Sequence, residues 1–203
     1  VRSSAASDVY KRQVFISILI LMPEVKSSTT SASSYILMDQ NTGRVLLSKD
    51  KDSQRLIASI TKIMTCILAL ESGKSEDVVI VDDNATSAYG SGIYIEVGEE
   101  IKLKDLLYGL MLRSGNDAAS MIAAYVSGSI EEFVKLMNNK AKELGMKNTI
   151  FYTPSGLPTP HGNLSSVYDM AILTRYAMQN KEYREIVSTK KYKTSTNKKT
   201  YIW

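Results

Sequence analysis

The run from Ile60 to Leu70, ITKIMTCILAL, has the apolar content of a buried helix but carries one lysine, Lys62. Its apolar residues recur at helical spacing, and small or apolar residues fill most of the other positions, so little of the circumference is polar. Such a helix belongs inside a domain. An ammonium group there must be paired, hydrogen-bonded or discharged, and desolvation lowers its pKa towards the range where the amine accepts a proton. The run therefore predicts a buried lysine that can act as a base.

Ser59 lies three residues before Lys62, on the same side of the predicted helix. A serine nucleophile that works without histidine requires at least a hydroxyl and a neighbouring base, and a lysine of lowered pKa can be that base. The spacing S-x-x-K is a weak signal by itself, because it also begins at Ser48, Ser188 and Ser195 in polar stretches that we interpret as solvated turns or strand ends. Only the match at Ser59 lies in an apolar run. A Lys62 side chain that snorkels from the helix start to water is the alternative.

A second polar element, Ser114-Gly115-Asn116, separates two apolar helical patterns, LKDLLYGLML and ASMIAAYV. Taken alone, it indicates a helix cap in which Ser114 or Asn116 accepts hydrogen bonds from the first free amides of the next helix. With Ser59 and Lys62 earlier in the chain, it resembles the signature of the penicillin-recognising serine enzymes, S-x-x-K, S-x-N and K-T-G.

Three longer segments resemble the D-alanyl-D-alanine carboxypeptidases, the low-molecular-mass penicillin-binding proteins of serine peptidase family S11. They are ASITKIMT, LKDLLYGLMLRSGNDAAS and FYTPSGLPTPHGNLSSVYDMAILTRYA, within a match from about Tyr35 to Trp203. Two departures stand out: Ile57 replaces the usual proline of the first motif, and K-T-G does not occur, since Lys193-Thr194-Ser195 lacks its glycine. We therefore interpret the chain as a fragment of an open reading frame whose third motif lies past Trp203.

The resemblance implies an α+β fold that is β-lactamase/transpeptidase-like, an antiparallel sheet flanked by helices, with the C-terminal strands missing from the fragment. The sequence patterns agree with this class. YILMDQ and RVLLSKD, joined by Asn41-Thr42-Gly43, predict a hairpin that forms the first two strands of the sheet. Periodicity predicts helices near 58–72, 103–112, 116–127, 130–144 and 166–179, and short strands or loops at VVIV and 89–101.

The N-terminal residues resemble a secretory signal. Lys11-Arg12 precede an apolar run from Val14 to Met22, and a small-residue tract ending near Ser33 follows. The run is shorter than the about 20 apolar residues of a membrane span, and a strand folded into the domain is the alternative. We assign 1–34 to a lead-in, signal peptide and small-residue joint, and 35–203 to one peptidase domain that is incomplete at its C-terminus. Export would place the enzyme outside the cytoplasmic membrane, at the cell wall.

Composition limits the other classes of function. With 44% hydrophobic residues in 203, the chain can bury one core. The net charge of +4 is spread out, so we infer no nucleic-acid binding. The lysine-rich stretch 190–199 indicates a solvated face, with anionic wall polymer or lipid as the alternative partner.

Cys66 is the single cysteine and lies in the apolar run, which excludes an internal disulfide and a cysteine-based metal site. No metal or organic cofactor is expected.

The resemblance implies acyl transfer through a serine ester in the complete protein. Ser59 would attack the carbonyl between two D-alanines of a peptidoglycan stem peptide, Lys62 would take its proton, and Ser114 would relay a proton to the leaving D-alanine. Asn116 would hold Lys62 and a substrate carbonyl, and the Ser59 N–H would form half of an oxyanion hole. β-Lactam antibiotics are then expected as covalent inhibitors. Membrane-surface association through a further C-terminal segment is left open.

Other chemistries fit the sequence less well. A Ser-His-Asp hydrolase is disfavoured because the single histidine, His161, lies in a loop composition and no G-x-S-x-G occurs, and a zinc site is disfavoured too. A class A β-lactamase-like hydrolase shares two motifs but is expected to carry Ser-Asp-Asn, where this chain has Gly115 in the middle. The last alternative is a penicillin-binding sensor or wall-binding module that is acylated without turnover.

Overall fold

The computed structural model describes residues 30–86, 88–158 and 161–203. The chain divides into two compact units, Val1–Ala32 and Ser33–Trp203, and all elements named below belong to the second. The predicted signal run from Val14 to Met22 lies outside the described residues. None of the helices in the described ranges is both long enough and apolar enough to cross a membrane.

The helices follow the apolar patterns of the sequence. A short 3-10 turn, Ala58–Thr61, leads directly into the first α-helix. The α-helices are α1 Lys62–Glu71, α2 Leu103–Leu112, α3 Asn116–Ser127, α4 Ile130–Glu143, α5 Val167–Ala177 and α6 Lys181–Ser188. The five predicted helices are confirmed, with small differences at their ends. Helix α6 was not predicted; it is short and mostly polar and buries only Tyr183 and Ile186.

The strands of the described chain are short and pair two by two in antiparallel ladders. They are β1 Tyr35–Met38 with β2 Val45–Lys49, β3 Arg55–Leu56 with β6 Leu164–Ser165, β4 Val78–Ile80 with β5 Glu100–Lys102, and β7 Lys193–Ser195 with β8 Thr200–Ile202. The predicted β1–β2 hairpin is confirmed, and Gly43 supplies its positive φ of 76°. The α+β class is confirmed as well, although β1 and β2 form a sheet of their own within the described residues rather than the start of a larger one.

Helix α1 lies at the centre of the helical layer and contacts each of the other α-helices. Eight of its ten residues are buried, among them Met64 and Cys66, which are 0% exposed. Burial raises the pKa of the Cys66 thiol, as expected for a small core residue. Because neighbours enclose α1 on all sides, the lysine at its first position is enclosed too.

The lysine-rich stretch near the C-terminus forms the β7–β8 hairpin, which docks on the region before α2. The buried carboxylate of Glu99 accepts hydrogen bonds from the hydroxyls of Thr196 and Tyr201 at 2.6 and 2.9 Å. Tyr192 stacks on Tyr108 with ring centroids 3.6 Å apart. Lys190, Lys191, Lys193 and Lys198 are exposed, which agrees with a solvated face.

Candidate active site

Lys62, the first residue of α1, is the centre of the candidate site and is only 3% exposed. Its Nζ donates hydrogen bonds to Ser59 Oγ at 3.1 Å, to Asn116 Oδ1 at 2.8 Å and to the carbonyl oxygen of Ser155 at 2.8 Å. An ammonium has three N–H donors, so these three acceptors satisfy it in full. The snorkelling alternative is therefore wrong, and the lysine is held out of water beside the serine hydroxyl.

Burial lowers the pKa of Lys62 from 10.5 to about 8, and the carboxylate of Asp117 opposes part of this change. Desolvation disfavours the charged form of an amine, whereas a nearby negative charge favours it. With this pKa, about a tenth of the lysine is neutral at pH 7, against fewer than about one in a thousand for an ordinary lysine. A neutral amine can accept a proton, and Lys62 Nζ lies within hydrogen-bonding distance of the Ser59 hydroxyl.

Ser59 is held at the surface while its partner is buried. It lies in the 3-10 turn that precedes α1, and it is exposed to solvent. Ala58, just before it, has a φ of 43°, in the left-handed region that a residue with a side chain rarely adopts. Strain of this kind persists only where the surroundings hold it, and it clusters at functional sites. The turn thus presents the Ser59 hydroxyl to solvent, in hydrogen-bonding contact with a buried amine.

Asn116 joins the site from the first position of α3 and is 5% exposed. Its Oδ1 accepts the hydrogen bond from Lys62, and its Nδ2 donates to the carbonyl of Tyr89 at 2.7 Å. The helix-cap interpretation is wrong, because Gly115 occupies the N-cap position and no side chain there caps the helix. Nδ2 carries two N–H groups, and the Tyr89 carbonyl accepts a hydrogen bond from one of them.

Ser114 lies two residues before Asn116 but is not among the three acceptors of Lys62. It is partly exposed and has a φ of 56°, a further left-handed conformation at the site. Of the four residues proposed from the sequence, the structure therefore joins Ser59, Lys62 and Asn116 by hydrogen bonds. The proton relay through Ser114 stays a prediction.

The segment after α4 supplies a partner that the sequence did not reveal, the carbonyl oxygen of Ser155. The neighbouring Pro154 carbonyl accepts a hydrogen bond from Thr65 Oγ1 of α1 at 2.6 Å. Gly156 follows with a φ of 83°, and a Cβ built on it would lie 1.9 Å from the carbonyl oxygen of Ala58. Only glycine permits this approach. The turn composition of TPSG is the signal that marks this segment, but it does not show which carbonyl binds the lysine.

Asn163 fixes that segment against the first motif and is 1% exposed. Its Oδ1 accepts hydrogen bonds from the backbone N–H groups of Tyr152 and Thr153, at 2.7 and 3.0 Å. Its Nδ2 donates to Thr61 Oγ1 at 2.9 Å and to the Thr153 carbonyl at 2.8 Å. One buried amide therefore ties the loop that carries Ser155 to the turn that carries Ser59.

Residues 22–203 match the sequence profile of Peptidase_S11, described as D-alanyl-D-alanine carboxypeptidase. The chain belongs to the S11 family. Among its S11 relatives, the D-alanyl-D-alanine carboxypeptidase DacF of Bacillus subtilis (strain 168) is 45% identical over 163 residues, which are 78% of this chain and 42% of DacF. DacD of Escherichia coli (strain K12) is 38% identical over 155 residues, 71% of this chain and 40% of DacD. The chain thus spans about two-fifths of the length of these relatives.

Solved structures of S11-like proteins have the same fold. A D-alanyl-D-alanine carboxypeptidase from Mycobacterium tuberculosis H37Rv superposes with a TM-score of 0.81 at 29% identity, over 85% of this chain and 65% of the other. Penicillin binding protein 5 from Haemophilus influenzae gives a TM-score of 0.75 at 34% identity, over 83% of this chain and 51% of the other. The predicted resemblance to S11 peptidases and the transpeptidase-like fold class are confirmed.

Proposed function

We propose that this protein is a serine-type D-alanyl-D-alanine carboxypeptidase that removes the terminal D-alanine from peptidoglycan stem peptides through an acyl-enzyme on Ser59. The observation that carries the proposal is the buried amine of Lys62, bonded at once to Ser59, Asn116 and the Ser155 carbonyl. S11 relatives that share 45% and 38% identity with the chain carry the same name. Membership of the family supports the reaction class, and the geometry supports the assignment of roles.

The proposed reaction begins with neutral Lys62, whose Nζ lies 3.1 Å from Ser59 Oγ. As Oγ attacks the carbonyl of the penultimate D-alanine, the hydroxyl proton passes to Lys62. Asn116 Oδ1 and the Ser155 carbonyl then stabilise the ammonium that forms, because both oxygens already point at Nζ. The Ser59 N–H is one donor to the oxyanion.

The tetrahedral intermediate then collapses. The bond between the two D-alanines breaks, the terminal D-alanine leaves with a proton relayed through Ser114, and the rest of the peptide stays on Ser59 as an ester. Water hydrolyses the ester and restores the serine hydroxyl. A β-lactam would acylate the same oxygen by opening its ring. Relatives of known structure that are named penicillin-binding proteins support this expectation.

We propose an extracytoplasmic location, at the cell-wall side of the cytoplasmic membrane. The peptidoglycan substrate lies there, and the apolar run from Val14 to Met22 resembles an export signal. A contact with the membrane surface through a further C-terminal segment is a separate proposal, and binding of the purified protein to lipid vesicles would test it.

The test of the proposed function is covalent labelling by a fluorescent penicillin, on the 203-residue chain and on the longest product of its reading frame. Ser59→Ala should abolish labelling, and Lys62→Met should slow it at least about 100-fold, since both the base and the hydrogen bond to Oγ are lost. Ser48→Ala is the matched control, because Ser48 begins another S-x-x-K string in β2. Equal labelling of Ser59→Ala and wild type would reject the assignment.

Product analysis separates the alternatives. A carboxypeptidase releases D-alanine from a peptide ending in D-Ala-D-Ala, whereas a β-lactamase hydrolyses penicillin rapidly without doing so. A sensor is acylated and does neither. The 203-residue chain by itself should turn over very slowly, because K-T-G, which belongs to the family signature, does not occur in its sequence. Turnover of the 203-residue chain at a rate equal to that of a longer product would contradict this reasoning.

A further inference from the structure

Asp117 is a buried carboxylate that is bound by backbone amides. It is the second residue of α3 and is 6% exposed. Both of its oxygens accept the N–H of Ile93, at 3.0 and 3.1 Å, and Oδ2 also accepts the N–H of Tyr94 at 2.7 Å. Oδ1 accepts the N–H of Ala118 as well, at 2.8 Å. Hydrogen bonds from several amides stabilise a buried carboxylate in its charged form.

The amides of Ile93 and Tyr94 belong to a loop, residues 88–94, that also contacts the neighbouring residue Asn116. The Asn116 N–H donates to the Ser91 carbonyl at 2.8 Å, and the Asn116 Nδ2 donates to the Tyr89 carbonyl at 2.7 Å. A carbonyl oxygen can bind only the nitrogen end of the amide. The Tyr89 carbonyl therefore turns the Asn116 oxygen towards Lys62.

The local backbone is fitted closely to the carboxylate. A Cβ at Gly92 would lie 3.1 Å from Asp117 Oδ2, closer than nine in ten such contacts in proteins. Tyr94 has a φ of 59°, and its N–H is one of the groups that Asp117 binds. A left-handed tyrosine costs of the order of 1 kcal/mol or more and persists only where contacts hold it. Asp117 supplies such a contact.

We propose that Asp117 is a positioning residue for acyl transfer: its carboxylate fixes the 88–94 loop, and the Tyr89 carbonyl of that loop fixes the Asn116 amide with its oxygen on Lys62. The inference rests on the proposed function. It predicts that Asp117 acts through Asn116 rather than on the substrate. Loss of Asp117 should free the amide to rotate, and a misplacement of about 1 Å at a reacting group lowers rates by as much as about 100-fold.

The first test is a double-mutant cycle on the acylation rate with a fluorescent penicillin, using the longest product of the reading frame. Asp117→Asn should slow acylation about 10- to 100-fold in the wild-type background. Because the Asp117 charge also opposes the lowering of the Lys62 pKa, the rates are compared at about pH 9.5, where Lys62 is largely neutral in every variant. In the Asn116→Ala background the same change should then have less than about a threefold effect, because the group through which it acts is gone. An equal slowing in both backgrounds would overturn the proposal.

Asp169→Asn is the matched control. Asp169 is also a buried carboxylate, 1% exposed, in the first turn of a helix, and it accepts the backbone N–H of Asn148 at 2.7 Å. That hydrogen bond lies outside the contacts of Lys62, so the variant should acylate at the wild-type rate once both proteins are shown to be folded. Slowing by Asp169→Asn equal to that by Asp117→Asn would mean a general loss of structure and would overturn the proposal.

The second test does not depend on activity. In the 203-residue chain, the side-chain amide of Asn116 should exchange its protons slowly, as observed by NMR, and Asp117→Asn should accelerate that exchange at least about tenfold. Gly92→Ala keeps the charge but crowds the carboxylate, so it should accelerate exchange in the same direction even if Asp117→Asn does not fold. Unchanged exchange in both folded variants would overturn the proposal. If wild type is not acylated at all, the proposed function fails, and this measurement still decides whether Asp117 orients Asn116.

Discussion

The buried amine of Lys62 makes the stability of the fold depend on pH in a window that its pKa defines. In the folded chain the pKa is about 8, and in the unfolded chain it returns to the ordinary value of 10.5. Between these two values the unfolded lysine carries a proton and the folded lysine does not. The free energy of unfolding must therefore rise with pH across the window, and below pH 8 this group contributes no further change.

The magnitude follows from the size of the pKa difference. Each pKa unit corresponds to about 1.4 kcal/mol, so wild type should gain about 3 kcal/mol between pH 8 and pH 10.5 from this residue. Lys62→Met removes the gain. It also leaves Asn116 Oδ1 and the Ser155 carbonyl without their donor, which costs about 1 to 3 kcal/mol for each buried acceptor at every pH. The slope against pH, rather than the absolute stability, is the quantity to compare.

The assay is urea denaturation of the 203-residue chain from pH 7 to pH 10.5, followed by circular dichroism and by the fluorescence of Trp203. The free energy of unfolding is plotted against pH for wild type and for Lys62→Met. When the second curve is subtracted from the first, the contributions of the other titrating groups cancel. Lys140→Met is the control: burial lowers the pKa of Lys140, but Glu143 and Glu71 outweigh this and raise it above its usual range. The contribution of Lys140 is therefore nearly constant up to about pH 9.5 and falls slightly, rather than rising, towards about pH 10.5. If wild type and Lys62→Met show the same slope, the lysine titrates normally and the argument for a buried base fails.

Two further predictions concern the same site. Gly156→Ala should destabilise the fold by more than about 3 kcal/mol, because the new Cβ would lie 1.9 Å from the Ala58 carbonyl oxygen. Gly145→Ala is the control: its φ is also positive, at 75°, but a Cβ there has nothing within 4 Å, so only the backbone strain of about 1 to 2 kcal/mol remains. Equal losses in urea denaturation would show that the contact with Ala58 is unimportant. Acylation of Ser59 by penicillin should rise about tenfold per pH unit up to pH about 8 and then level off, and stopped-flow rates that do not vary from pH 6 to 9 would contradict a base with that pKa.

The sequence predicts those parts of the fold and site that depend on side-chain type. The apolar run after Ser59 predicts both the helix and a buried Lys62, because little of the helix circumference is polar, and the 3% exposure of Lys62 decides against the snorkelling alternative. Asn116 is recognisable because an amide between two apolar helices needs a polar partner. The five helices of strong periodicity are predicted for the same reason.

Contacts that depend on backbone position cannot be predicted in this way. The Ser155 carbonyl is a group that every residue possesses, so no residue type marks it as a partner of Lys62. Asp117 could be read as an ordinary acid at a helix start, since its contacts with Ile93 and Tyr94 come from a loop without periodicity. Helix α6 was not predicted because it is only eight residues long and mostly polar, although its two buried residues, Tyr183 and Ile186, lie on one face.

The acceptors of Lys62 come from three stretches that are widely separated along the chain, at Ser59, Asn116 and Ser155. In a partly collapsed polypeptide, Lys62 is solvated and fully charged. Ser59 is then no more reactive than any other serine. The environment that lowers the pKa of Lys62 therefore exists only once these three stretches are in contact. If the proposed function is correct, a β-lactam adduct on Ser59 would mark a chain in which these three contacts have formed.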